Sequence, residues 1–293
     1  EFLSFIGKKS SIIYYIENNY QKKSIIKYII FLRLKGVDLN EFFATKEDGK
    51  FIHEQDVKRW LDTLTHNEKY PFSTPELRNE LKHTFWILNR VASAKALKAL
   101  LDHHPVFENY ETILAAGDGK SEADDFVANE NSFNRVCEAI KTNDKTITLS
   151  VGQLTTGVTI PECTAVMMLS NMKSPAFYMQ AAFRAQNPHD WSEPSDGDET
   201  RYQKQNAYVF DFSPERTLII FDEFANNLST RTTSGGGTSK DREHNIRRLL
   251  NFFPVIGEDN EGKMVELDAT QVLTIPKAIK ATEVVKRGFM SNL

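Results

Sequence analysis

Residues 145–188 read KTITLSVGQLTTGVTIPECTAVMMLSNMKSPAFYMQAAFRAQNP. A β-branched run at 146–150 feeds the loop Thr155-Thr156-Gly157-Val158-Thr159-Ile160-Pro161; a second apolar run follows at 164–169, then a helical stretch carrying Gln180 and Arg184. Strand, loop, strand and helix in this order predict a parallel α/β unit. Loops that follow parallel strands gather at one edge of an open sheet, where ligands bind. Gly157 lets the backbone approach a phosphate closely. An arginine one turn after a glutamine, on a helix at that edge, is placed to reach a polyphosphate.

The flanking sequence extends the sheet. Residues 84–88 predict a strand, followed at once by Asn89-Arg90 and by an Ala- and Leu-rich helix over 92–101. A strand at 111–116 ends in Gly117-Asp118-Gly119, a helix falls within 121–141, and a further strand at 207–212 leads into a helix from Pro214. Upstream, 54–64 predicts a helix with Val57, Trp60, Leu61 and Leu64 on one face, and Pro75 opens another, capped by Ser73 or Thr74. The apolar spacing in 10–34 is mostly helical, although Ile29-Ile30 equally fits a buried strand. The polar stretch 191–205 predicts a surface loop. The run 229–241, STRTTSGGGTSKD, predicts a mobile linker. Beyond it, 243–253 predicts a helix, 265–267 and 271–273 short extended pieces, and 276–292 a final helix.

This order resembles motifs V and VI of superfamily 2 helicases and translocases, in their second RecA-like domain. Thr156-Gly157-Val158-Thr159-Ile160-Pro161 stands where the family has Arg-Gly-x-Asp-x-Pro, and Gln180 to Asn187 stands where it has Gln-x-x-Gly-Arg-x-x-Arg. The strand ending in Asn89-Arg90 resembles motif IV. The resemblance spans roughly residues 82–212 and is nearest to the motors of restriction–modification enzymes of type I, type III or single-chain kinds.

The resemblance implies an α/β fold: a three-layer RecA-like domain with a mainly parallel sheet over 81–228. Before it would lie a helical connector over 1–80; after it, the linker 229–241 and a partly helical coupling region over 242–293. It implies ATP with Mg²⁺ as cofactor, the ion being held by a first RecA-like domain of the same polypeptide. It assigns Arg184 as the finger on the γ-phosphate, Gln180 as its orienting neighbour, and Gly157 and Thr159 as nucleotide contacts. Asn89, Arg90, Gly117, Asp118, Thr155 and Thr156 would follow the nucleic acid. The partners implied are double-stranded DNA, the first motor domain, and methyltransferase, specificity or nuclease modules, in the cytoplasm. Three positions depart from the family pattern. The motif V aspartate is Thr159, the motif VI glycine is Phe183, and the second motif VI arginine is Asn187.

Composition sets the bounds. The chain has 293 residues, 40% of them hydrophobic and 26% charged, with a formal net charge of −4. That is ordinary for a soluble globular chain and gives no global basic signature, so nucleic-acid contacts must be local. Two cysteines, Cys137 and Cys163, fit a reducing compartment better than a disulfide framework. No apolar run is long enough to span a bilayer. No zinc spacing, Ser-His-Asp set or nuclease carboxylate cluster is present, and no metal ligands are assigned. Starting at Glu1 and stopping at Leu293 within an apolar-periodic segment, the chain is expected to be a piece of a longer polypeptide.

Two stretches mimic nucleotide motifs. Gly119-Lys120-Ser121 copies the end of a P-loop, but Leu114 occupies the position of the required first glycine. Leu218 to Glu223 copies a Walker B strand, yet Pro214 with Phe221, Ala225 and Leu228 at helical spacing predicts a helix. Without a Walker A lysine this chain alone is expected not to turn over ATP. Two other readings stay open. One is a non-catalytic α/β interaction module; the other is a self-sufficient phosphotransferase using Lys120, Asp222 and Glu223.

Overall fold

The computed structural model describes residues 25–30, 38–67, 70–116, 122–152, 159–195, 198–258 and 263–278. In chain order the strands are β1 (Ile25–Ile30), β2 (His83–Ile87), β3 (Glu111–Ala116), β4 (Thr146–Val151), β5 (Ala165–Met168), β6 (Asp190–Ser195), β7 (Asp198–Gln203), β8 (Asn206–Asp211), β9 (Val255–Glu258) and β10 (Met264–Glu266). The helices are α1 (Leu39–Phe42), α2 (Glu54–His66), α3 (Pro75–Glu80), α4 (Val91–Leu101), α5 (Glu122–Thr142), α6 (Pro175–Ala182), α7 (Pro214–Asn227) and α8 (Ser239–Leu250). They divide into two compact units. One comprises Asp38–Asn171 and Met179–Phe210; the other comprises Glu1–Val37, Met172–Tyr178 and Asp211–Leu293.

The first unit is built on five strands in the order β8-β5-β2-β4-β3. β2 pairs in parallel with β4 and with β5, and β3 pairs in parallel with β4. This is the mixed α/β architecture with a mainly parallel sheet that the sequence predicts for a RecA-like domain. The strands are buried on both faces, as in a sheet covered on both sides: four consecutive residues of β2, Thr84 to Ile87, are buried, and so is every residue of β5.

Trp86 anchors the core. Its indole is fully buried and its Nε1 donates to Thr84 Oγ1 at 3.0 Å, so the one polar atom of the ring is satisfied. Trp60, Phe72 and Phe107 pack around it with ring centroids 5.6–6.0 Å away, and Phe43 packs edge-on to Trp60 at 5.3 Å. Residues of 38–80, where the sequence predicts a connector, therefore place aromatic side chains on the centre strand of this sheet. The predicted α3 start is present: Thr74 Oγ1 accepts from Leu77 N at 3.2 Å, with Pro75 in the first turn.

Residues 191–205 differ from the predicted loop. β6 and β7 pair as an antiparallel hairpin, with Trp191 opposite Tyr202 and Ser195 opposite Asp198. The two residues between the strands, Asp196-Gly197, lie outside the described residues.

In the second unit β9 pairs in parallel with β1 and antiparallel with β10. Ile25–Ile30 is thus a strand, the second of the two readings its spacing allowed; β-branched residues fill four of its six positions. The predicted extended piece at 271–273 is instead part of a helical segment over 269–278. Asp268 Oδ1 accepts from Gln271 N at 2.8 Å while Gln271 Oε1 accepts from Asp268 N at 2.9 Å, a reciprocal cap that starts a helix there. The Asp222-Glu223 pair lies on helix α7, as predicted, and Asp222 receives Arg242 at 2.7 Å.

The polar centre of this unit is Asp211, at the end of β8. Its carboxylate is fully buried. Arg216 Nη2 donates to both of its oxygens at 2.6 and 2.8 Å, Tyr178 Oη donates at 2.9 Å, and Ser213 N donates at 2.8 Å. The Arg216 guanidinium also lies over the Tyr178 ring, 5.8 Å from its centroid.

Candidate functional site

The parallel sheet of the first unit has a carboxyl edge and an amino edge, and the predicted site residues fall at both. Asn89 and Arg90 follow β2 directly at the carboxyl edge, and both are exposed. Arg90 is the residue before α4 and has extended backbone angles, φ −139° and ψ 140°. Its side chain makes no capping hydrogen bond.

β4 runs into Gly152 at the same edge. Gly152 has φ +70°, a left-handed conformation in which a Cβ is strained, so it is the residue that turns the chain out of the strand. Thr155, Thr156 and Gly157 lie outside the described residues, as do Gly117 and Asp118 after β3. Thr159 is exposed and Ile160 buried where the chain re-enters the described structure.

Gln180 and Arg184 both lie on the segment after β5, but not on one continuous α-helix. Gln180 belongs to α6, half-buried, and Arg184 sits in a 3₁₀ turn over Phe183–Gln186. Arg184 is half-buried. Its environment pulls the guanidinium down to about 10, first through burial, with the Cys163 thiol acting the other way. Cys163 directly precedes Thr164 and β5, so this turn lies at the amino end of β5. Asn89 and Arg90 sit beyond the carboxyl end of its neighbour β2. The structure therefore does not gather Arg184 with Asn89 and Arg90 at one edge, as the sequence predicts; α6 runs back along the sheet and carries Arg184 to the other end.

A residue absent from the sequence reading holds this end together. Lys204 is 6% exposed, and its ammonium donates to Pro161 O at 2.8 Å, Cys163 O at 2.9 Å and Ala185 O at 3.0 Å. All three of its donors are used on carbonyls, which satisfies an otherwise costly buried charge. Burial still lowers the ammonium to about 8. Lys204 thus ties the loop entering β5 to the turn that carries Arg184. Replacing it with Met would leave three carbonyls without that donor. We expect Lys204→Met to destabilise the protein by about 2–4 kcal/mol, read as a shift in its urea midpoint. A midpoint within about 0.5 kcal/mol of the parent would remove Lys204 from this role.

No protein-family model matches the chain. Among characterised proteins it is 28% identical over 244 residues to the C-terminal part of a putative type II restriction enzyme and methyltransferase of Mycoplasma pneumoniae. The chain is similar to a restriction–modification enzyme. The match covers 78% of the chain and 32% of that relative, so the chain spans about a third of the relative's length. Among solved structures, it aligns with an ATP-dependent type ISP restriction–modification enzyme, LlaBIII, bound to DNA. That alignment has 15% identity and a TM-score of 0.42, over 80% of this chain and 17% of that one. It also aligns with domain 2 of the DEAD-box helicase Mss116p bound to an RNA duplex, at 9% identity and a TM-score of 0.34, over 76% and 68% of the two chains.

The restriction–modification resemblance sits beside a feature no motif announces. His83, at the start of β2, is packed so that burial lowers it to about 4; Glu162 opposes this, Lys82 adds to it, and Asp144 and His189 act weakly in opposite senses. Its Nδ1 is 3.0 Å from Thr146 Oγ1. The folded pKa lies below the ordinary histidine value, so the unfolded chain takes up this proton first as the pH falls. Stability present above pH 6.5 should be lost between pH 6.5 and 4, by up to about 3 kcal/mol. His83→Gln should flatten the acid limb of a plot of urea midpoint against pH; an unchanged limb would assign the loss to other groups.

Among the described residues no cluster of His, Cys, Asp and Glu is arranged to hold a metal ion, and no helix is long and apolar enough to cross a membrane. Cys163 is fully buried, and burial pushes its thiol up to about 11, which keeps it an inert packing group.

Proposed function

We propose that the chain is the second motor domain of an ATP-dependent DNA translocase belonging to a restriction–modification enzyme. The observation that carries this reading is the order of parts on one parallel sheet. β2 is followed by the exposed Asn89-Arg90, β4 is followed in the chain by β5, and β5 leads to Gln180 and a half-buried Arg184. Similarity to the C-terminal part of a restriction enzyme and methyltransferase supports the same class. ATP and Mg²⁺ would be bound chiefly by a first motor domain carrying the Walker A lysine and Walker B carboxylates. Arg184 would meet the γ-phosphate, with Gln180 orienting its neighbourhood. Thr159 would offer a hydroxyl where the family has a carboxylate. Gly157 would let the backbone approach the nucleotide, and Asn89 and Arg90, with Gly117, Asp118, Thr155 and Thr156, would contact the nucleic acid. Closure of the two domains on ATP and opening after hydrolysis would shift the grip on DNA.

The reading requires that the complete protein hydrolyse ATP faster when duplex DNA is added, and that this chain alone not turn over ATP. Absence of DNA-stimulated hydrolysis in the complete protein would favour the interaction-module reading. Turnover by the isolated chain, lost in Lys120→Ala, would favour the phosphotransferase. The placement of Asp222 and Glu223 on a helix, with Asp222 bound to Arg242, weighs against the last.

A further inference from the structure

A cavity of about 590 Å³ opens at the amino edge of the five-stranded sheet, at the opposite end of the strands from Asn89 and Arg90. Its size is that of a small-molecule site. One wall is the β6–β7 hairpin, where Trp191 lines the space together with His189, the residue before β6. Trp191 stacks on His189 and on Tyr202, with ring centroids 5.6 Å apart in both pairs and interplanar angles of 15° and 18°. Trp191 and Tyr202 are 38% and 40% exposed, among the few large hydrophobic side chains that the described residues leave open to solvent. A strip of nearly parallel rings on a surface hairpin offers a platform for another flat ring.

The charges lining the cavity balance in sign: Glu80, Asp144 and Glu162 against Lys82, Lys141 and Lys204. Asp144 receives Lys82 and Lys145, each at 2.7 Å, which holds its carboxyl down at about 2. Glu80 accepts from Tyr208 Oη at 2.6 Å and from Asn206 Nδ2 at 2.9 Å. The Lys204 ammonium is committed to its three carbonyls. The lining thus favours a neutral ligand over a phosphate group. At the rim Asn79, Gln203 and Gln205 are exposed, and each amide carries donors and an acceptor in one plane. A flat ring with in-plane donors and acceptors, stacked on an aromatic strip and read by amides, is a nucleobase. Its face is free to lie on Trp191 only when it is out of the duplex stack.

We propose that this amino-edge cavity receives an unpaired nucleobase, laid against Trp191. The proposal uses none of the motor residues and stands whether or not Arg184 serves ATP hydrolysis. The test uses the full protein with a fluorescent single-stranded oligonucleotide carrying one 5-iodouracil. Ultraviolet cross-linking followed by peptide mapping is expected to mark Trp191. Trp191→Ala should remove the cross-link and weaken single-strand binding about tenfold, and Trp191→Phe should keep most of both. Free thymidine added in excess separates two sources of the base. Competition means that a free nucleoside suffices, and its absence with the cross-link intact means that the base must be presented by a strand. Cross-linking confined to other peptides would overturn the proposal. So would Trp191→Ala binding as tightly as the parent, or equal affinity for an abasic oligonucleotide.

Discussion

In the complete protein, Arg184→Ala is expected to lower DNA-stimulated ATP turnover by about 10³-fold or more while ATP binding is retained. The size follows from the environment of the side chain. A guanidinium that has lost part of its hydration interacts with developing phosphoryl charge more strongly than one in bulk water, and it needs little reorganisation when the charge appears. Burial pulls Arg184 down only to about 10, so it stays cationic at neutral pH. Asn187 stands where the family's second arginine would be, so no neighbouring cation in the motif shares the task. Arg184→Lys should recover only part of the loss, because the ammonium lacks the planar fork. Turnover is compared under saturating ATP, with ATP binding measured separately. Equal turnover in Arg184→Ala and the parent would take the finger away from this position. Loss of ATP binding and turnover together, with a lowered urea midpoint, would instead assign Arg184 to folding.

The five strands of the first unit's sheet and the helices between them were legible because their periodicity is clean. The runs in β2, β4 and β5 are rich in apolar and β-branched residues, and α4 follows its strand closely. The Walker B mimic was resolved by Pro214 and the helical spacing of α7. The end of the sheet at which Arg184 falls was not legible. A helix that starts after a strand runs back along the sheet, so a residue eight or nine positions into it can sit at the far edge; sequence order alone does not count those turns. Lys204 left no signal, since its partners are three backbone carbonyls. The hairpin did leave one: Asp196-Gly197 flanked by Trp191 and Tyr202 is a turn dipeptide between strand formers. The polar and acidic residues around it outweighed that signal. Cys163 and His83 acquire their properties from packing, and no spacing rule reports desolvation.

Removing the carboxylate of Asp211 should be the most damaging single change to stability. Asp211→Ala is expected to cost about 3–5 kcal/mol, because it takes the carboxylate away from a largely buried guanidinium and removes the hydrogen bonds from Tyr178 Oη and Ser213 N. Asp211 is fully buried and the Arg216 side chain is 13% exposed, so solvent screens this pair little and surface ion-pair magnitudes do not apply. For a chain of this size the loss corresponds to a fall in Tm of roughly 6 °C or more. Tyr178→Phe removes a single bond to the same carboxylate and should cost about 1–2 kcal/mol. A double variant separates the worth of the pair from the penalty of breaking it. Asp211→Leu with Arg216→Met replaces both charges by apolar groups of similar length, and it should be closer to the parent than Asp211→Ala. If the double variant is instead as unstable as the single one, the network contributes through its geometry at the end of β8. If Asp211→Ala is within about 0.5 kcal/mol of the parent, the carboxylate is not the anchor that its four hydrogen bonds imply.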